Sequence, residues 1–318
     1  MASSESYFSQ GGTTFTDEQR AKLVSRAKSK DFMFAILGVV VLVLSLGMLL
    51  TLLLDLAFDG GGRISWDFLT NFPSRVPERS GILSAWVGTS LVMLVTATLA
   101  IPLGVMAGIY LEEYAPKNRI TDFIEINVSN LAGVPSIIYG LLALGLFVYT
   151  FGFGRTILSA GMVLALLILP VVIVATREAL RSIPLAMKEA AYGIGADKWQ
   201  VIWSFILPMA RPGILTGAIV GLSRAIGETA PVITIGALTF IAFLPAAPIQ
   251  PEPPFINFTW IFEPFTIMPI QMFNWVSRPQ AGFHENAAAT GLILMAMTLC
   301  MNGLAIWIRF RLRQNLKM

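Results

Sequence analysis

Six apolar runs constrain this chain more than any motif in it: Phe32–Phe58, Ile82–Leu111, Ile126–Phe151, Ile157–Thr176, Gly213–Leu244 and Ala287–Ile308. At about 1.5 Å of rise per residue the first run alone makes a helix ~40 Å long, enough to cross a hydrocarbon core of about 30 Å with room to tilt. Composition agrees. Of 318 residues 55% are hydrophobic and only 13% charged, and the mean hydropathy is +0.72, far from a soluble domain of this size. The expectation is an all-α integral membrane protein with six transmembrane helices. The single cysteine, Cys300, and the single histidine, His284, exclude a disulfide framework or a Cys/His metal site within the chain.

Charge placement sets the expected topology. Lys and Arg cluster in the polar N-terminal tail 1–31 (Arg20, Lys22, Arg26, Lys28, Lys30), near Lys117 and Arg119, in the loop 177–212 and in the C-terminal tail 309–318. Alternate loops between the spans hold only Arg63, Arg75, Arg79, Arg155 and Arg278. The basic bias of cytoplasmic loops then places both termini in the cytoplasm. The pI near 9.1 does not imply nucleic acid, because the basic residues flank apolar spans and form no single patch. The first half of the N-terminal tail reads as disordered. Its charged region is longer than that of a signal peptide, so the first span, 32–58, is expected to stay as an anchor.

Two outer loops are long. Asp59–Gly81 has Trp66, and Trp86 follows it, both near the expected interface. Pro245–Glu285 is rich in proline and aromatics, a composition that resists regular helix and sits on the surface. Two readings of the latter stand, a receiving face for an external partner or an ordered lid of aromatic anchors.

The loop 177–212 carries its own pattern. Pro184 interrupts the helix before it, and Leu185–Gly193 forms a short helix with Met187, Ala190 and Ala191 on roughly one side. Gly193 and Gly195 permit a turn through positive φ. Asp197, with Gln200 three residues on, opens a further helix through Trp199, Val201, Ile202 and Phe205 that stops at Pro208. This helix–turn–helix knuckle has too little core to bury Trp199, Ile202 and Phe205 alone. A partner's groove or the protein's own helix ends must cover them.

The fifth run holds Gly213, Gly217 and Gly221, a stripe that admits a second helix at close range. The same face continues to Arg224 and Glu228. Charges at membrane depth cost at least about 2.5–3.5 kcal/mol each, so both must face protein or water. One reading is an ion pair that locks the bundle. The other is an oxyanion station, with the planar guanidinium of Arg224 donating to the anion. Glu228 then has to neutralise Arg224 between transport events, pair across to another subunit, or take up a proton. Pro231 follows, and the helix is expected to loosen there as a hinge. Arg177 with Glu178 is either a second charged station or a solvated helix end.

Several of these stretches resemble one family. Glu189-Ala190-Ala191, then Gly195, then Leu207-Pro208 are similar to the signature of permease subunits of bacterial ABC importers, with Phe205 where that family usually has Ile. Pro102-Leu103-Gly104, Gly108-Ile109-Tyr110-Leu111 with Glu113-Tyr114, Ala132-Gly133-Val134-Pro135-Ser136, Tyr139-Gly140-Leu141, Gly227-Glu228-Thr229-Ala230-Pro231, Pro269-Ile270-Gln271 and Asn274-Trp275 resemble the PstA-type permeases of phosphate importers. The likeness runs from about Ser80 to Arg313.

The resemblance implies a MetI-like, type I importer permease fold over 82–308. It implies that Glu189, Ala190, Ala191 and Gly195 couple to an ATPase, and that Arg224, Glu228 and Thr229 line the substrate path, with Arg177 as a secondary candidate. The implied partners are a PstC-type companion permease, a pair of PstB-type ATPase subunits, a PstS-type extracytoplasmic phosphate-binding protein and membrane lipid. ATP and Mg belong to the ATPase, since this chain has no G-x-x-x-x-G-K-[ST] loop and no chemistry of its own. It implies a place in the bacterial cytoplasmic (inner) membrane. The alternatives are a permease for sulfate or molybdate, or an ion-driven secondary transporter, which needs paired broken helices in an internal repeat.

Overall fold

A computed structural model describes residues 17–250 and 255–314; the first half of the N-terminal tail lies outside them. Helix α1 runs Asp17–Gly61, fifteen residues ahead of the expected start of the span at Phe32. Residues up to Asp55 form one compact unit and Leu56 onward a second. The second unit opens with the short helix α2, Trp66–Thr70, capped by Ser65, whose side chain accepts from the Phe68 N–H. Then come α3 (Leu83–Ile109), α4 (Arg119–Leu131), α5 (Ser136–Ala143) and α6 (Ile157–Arg181). They are followed by α7 (Leu185–Gly193), α8 (Lys198–Gln200), α9 (Leu207–Gly227), α10 (Ala230–Ile235), α11 (Met268–Val276) and α12 (Ala281–Gln314). Among the described residues there is no β-strand, only an isolated bridge between Ile249 and Ile256. Among the described residues five helices are long and apolar enough to cross a membrane, and six if the bent pair described next counts as one span.

Two of the expected spans are broken. The third is two limbs, Arg119–Leu131 and Ser136–Thr150, that meet at 104°. Gly133 and Pro135 explain the bend: the residue before a proline is pushed out of the helical region, and Pro135 cannot continue the ladder. Its first limb begins at Arg119, where Asn118 accepts from the Ile120 and Thr121 N–H groups, so the helix starts well before Ile126. The fifth expected span does not reach Leu244. It stops at Gly227, Glu228 is extended (φ −75, ψ 121), and α10 restarts at Ala230. Pro231 therefore sits in the first turn of α10, where a missing N–H is harmless, and the break precedes it.

Helix α6 is the axis of the second unit, buried along almost its full length against α3 and α9. Small residues set the spacing on both sides. A Cβ at Gly104 would lie 2.7 Å from Val172, one at Gly108 2.7 Å from Thr176, and one at Gly213 2.6 Å from Ala179. Gly217 is tighter still against Ala175. The glycine stripe thus faces α6, as its spacing predicts.

At the far end the loop 245–285 is only partly superficial. Phe265, Ile267, Met268, Ile270 and Trp275 are buried. Pro269 falls in the first turn of α11 and so permits the helix that the proline-rich composition argued against. The Met268 N–H donates to Thr89 Oγ1 at 2.9 Å, pinning α11 to α3. Phe68, Trp275 and Phe283 stack in sequence with centroids 6.1 and 6.3 Å apart. Phe255, Phe258 and Phe262 remain exposed.

Gly217→Val is expected to lower the stability of the purified protein by about 1–3 kcal/mol through overpacking against Ala175. Gly193→Ala, where nothing lies within 4 Å, is expected to leave it unchanged; thermal unfolding in detergent reads both.

Candidate functional site

The knuckle forms at the end where α6 stops and α9 begins. Pro184 is the N-cap of α7, and the turn after α7 passes through Gly195 at φ +86, a conformation glycine adopts without strain. Gly193 stays helical, so the turn needs one glycine and not two. Asp197 then makes a complete capping box: its carboxylate accepts the Gln200 N–H at 2.7 Å, and the Gln200 side chain accepts the Asp197 N–H at 3.1 Å. The helix it starts does not stop at Pro208. Residues Val201–Ile206 bond i to i+5, and the chain continues from Lys198 to Gly227 as one helix. This wider turn accommodates the prolines that lack an N–H.

The knuckle's apolar side chains split between two fates. Ala191, Val201, Ile202 and Ile206 pack with Ala179, Leu180 and Ile183 at the end of α6. Leu185, Met187, Tyr192 and Ile194 point outward, Ile194 at 77% exposure, together with Glu189 and Ala190. Trp199 and Phe205 are also exposed, and Trp199 lies 5.1 Å from Trp203, centroid to centroid. The protein's own helix ends therefore cover one face and leave an apolar face with a carboxylate uncovered. Of the signature residues, Glu189, Ala190 and Gly195 are on the open side and Ala191 is turned inward.

Arg177 is not a solvated helix end. It is 5% exposed, its Nη2 is 2.5 Å from Glu125 and its Nε 3.4 Å from Glu112. Arg181 donates to the same Glu112 at 2.8 Å and approaches Glu125 at 3.8 Å. Lys188 of α7 lies 2.5 Å from Glu113. Of these carboxylates only Glu113 lies in a stretch that carries the family resemblance; Glu112 beside it, at the end of an apolar span, and Glu125 had no signal that pointed to Arg177. A cavity of about 300 Å³ opens beside this cluster, lined by Glu125, Ser129, Asn130, Arg177, Glu178 and Arg181.

The second candidate site is the break after α9, about 40 Å along the helix from Asp197. Arg224 Nε lies 3.3 Å from Glu228 Oε1, so the i,i+4 pair forms. Gly217 and Gly221 are buried against α6, whereas Val220 and Arg224 emerge at the open margin of the same stripe. Glu228 sits in the extended link, and the Thr229 carbonyl accepts from the Val232 and Ile233 N–H groups. Helix α5 covers α10 from the other side: a Cβ at Gly140 would come within 2.6 Å of Pro231 Cα. The Tyr139 hydroxyl donates to the Leu131 carbonyl at 2.8 Å, satisfying a last-turn acceptor at the bend. Arg224, Glu228 and Thr229 thus converge where two broken helices cross, and Arg177 belongs to the other end.

Residues 100–314, which hold both sites, match the family described as binding-protein-dependent transport system inner membrane component. The chain is 29% identical over 279 residues to the probable ABC transporter permease protein YqgI of Bacillus subtilis (strain 168), covering 87% of this chain and 92% of that one. It is 32% identical over 271 residues to the phosphate transport system permease protein PstA of Mycobacterium leprae (strain TN), 83% of each. In fold it is similar to a chain of the inward-facing MetNI methionine ABC transporter, with TM-score 0.55 and 16% identity over 73% of this chain and 95% of that one. It is also similar to a chain of a bacterial alginate ABC transporter, with TM-score 0.60 and 15% identity over 88% and 94%. At such identities these two structures speak to the fold alone.

Asp197→Ala is expected to weaken the second knuckle helix by about 0.5–2 kcal/mol. Hydrogen exchange at the Gln200 amide, whose acceptor is removed, should speed up accordingly.

Proposed function

The chain belongs to the binding-protein-dependent transport system inner membrane component family, and we propose that it is the permease subunit of an ATP-driven phosphate importer, forming half of the translocation path. The observation that carries the substrate is the 32% identity to a phosphate permease over 83% of both chains. No observation favours sulfate, molybdate or an ion-driven mechanism.

In this reading the knuckle end and both termini face the cytoplasm, in keeping with the basic bias of those segments. The open face of Leu185, Met187, Glu189, Ala190 and Ile194 is the docking surface for a PstB-type ATPase, which holds ATP and Mg. A PstC-type permease completes the path along the open margin of α9, and a PstS-type protein delivers phosphate at the opposite end. Arg224 is the anion's station. Its guanidinium presents donors in a planar fork that suits a phosphate oxygen pair. Glu228, 3.3 Å away, holds that fork in place when the path is empty and yields it to the incoming anion. The Thr229 hydroxyl at the break adds a neutral donor. A half-exposed pair of this kind can exchange partners, which a fully buried pair could not do without a large desolvation penalty.

Labelled phosphate uptake in cells lacking this chain tests the reading. Restoring the wild type should restore uptake that excess sulfate or molybdate does not suppress. Glu189→Lys, present in the membrane at the same level, should reduce uptake about tenfold or more, each decade being ~1.4 kcal/mol of lost coupling. Wild type that restores nothing beside intact partners overturns the substrate; normal uptake by Glu189→Lys overturns the docking role.

A further inference from the structure

About 40 Å of helix separates the knuckle from the break at Glu228, so a displacement at one end reaches the other along that helix or through the contacts packed beside it. The knuckle end supplies a continuous set of them. Lys188, on α7, pairs with Glu113, whose side chain is only 9% exposed. Its neighbour Glu112 takes Arg177 and Arg181 of α6. The same two arginines take Glu125 of α4. Helix α4 passes through the 104° bend, closed by Tyr139 on Leu131, into α5. Helix α5 lies with Gly140 against Pro231 of α10, three residues after Glu228.

Each link resists slipping. A charge as buried as Glu113 or Arg177 cannot leave its partner without standing unpaired in a poorly solvated place. The Gly140 contact is already closer than a side chain would allow. Packed elements joined in this way move as a unit or switch between discrete arrangements.

We propose that this charge network is the transmission of the transporter: Lys188, Glu113 and Glu125 are positioning residues that fix the broken span α4–α5 to the knuckle. A displacement of α7 then shifts α5 against α10 and changes the opening at Arg224 and Glu228. The proposal rests on the reading of the chain as a permease driven by a separate ATPase. It goes beyond that reading by naming the residues that carry the displacement, which pair with one another inside this chain.

The test uses the complete transporter, both permeases with the ATPase and binding protein, in proteoliposomes, and reads phosphate accumulated per ATP hydrolysed. Lys188→Glu should lower that ratio about tenfold, within the range typical of coupling between distant sites. Adding Glu113→Lys to it, which rebuilds the pair with the signs exchanged, should bring the ratio back to within about threefold of wild type. Glu125→Gln, outside the knuckle, should lower the ratio while leaving co-purification with the ATPase intact, an outcome that a purely structural role in docking does not give. A double variant no better than the single one, or Glu125→Gln with the wild-type ratio, overturns the proposal. A wild-type transporter that accumulates no phosphate overturns the underlying reading instead, and the proposal falls with it.

Discussion

Inside a bilayer every backbone N–H and carbonyl has to find its partner within the protein. That constraint decides where this chain can stop being helical. It breaks twice within the spans, at Ala132–Pro135 and at Glu228–Thr229, and the helices that follow the two breaks, α5 and α10, pack on each other. Helix α5 lies on α10 at glycine-to-backbone distance, and the Tyr139 hydroxyl takes up the Leu131 carbonyl that the bend leaves open. The remainder of the second unit is arranged to bring these two breaks together. Helix α6, buried between α3 and α9 at glycine contacts, holds both the first limb, through Glu125, and the root of α9, through Ala179, at its C-terminal end.

Charge follows from the same scarcity of water. Among the described residues, ion pairs form at two places: Arg224 with Glu228 at the crossing, and the cluster of Arg177, Arg181 and Lys188 with Glu112, Glu113 and Glu125 at the knuckle end. In the proposed reading the first pair, open to the side, exchanges its carboxylate for an anion, and the second, with Arg177 and Glu113 buried, transmits force. A permease driven from outside needs both, an exchangeable site on the path and a stiff connection to the engine.

The spans, the knuckle, the capping box at Asp197 and the contact face of the glycine stripe were legible because each is written in local signals: hydropathy, turn chemistry and helical spacing. The two breaks were not located from the sequence. Hydropathy runs straight through Ala132–Pro135 and Glu228–Ala230, and Pro208 and Pro231 suggested interruptions where the helix in fact continues or begins. A proline costs little in a first turn or beside an i to i+5 segment, and the sequence does not show which situation applies. The burial of Arg177 was equally hidden, since its partners Glu112 and Glu125 lie 65 and 52 positions away and only the tertiary fold unites them. The same holds for Phe265–Trp275, whose prolines and aromatics look superficial until α11 is packed on Thr89.

The most direct test concerns Arg224. Labelled phosphate uptake should be measured in cells whose only copy of this chain is Arg224→Gln, with Arg224→Lys alongside and co-purification of the companion permease as the check on assembly. Arg224→Gln is expected to assemble and to transport no phosphate above background, with Arg224→Lys retaining a small fraction because it keeps the charge and loses the fork. Uptake at the wild-type rate by Arg224→Gln would mean that the pair with Glu228 only holds the bundle and that the anion passes elsewhere.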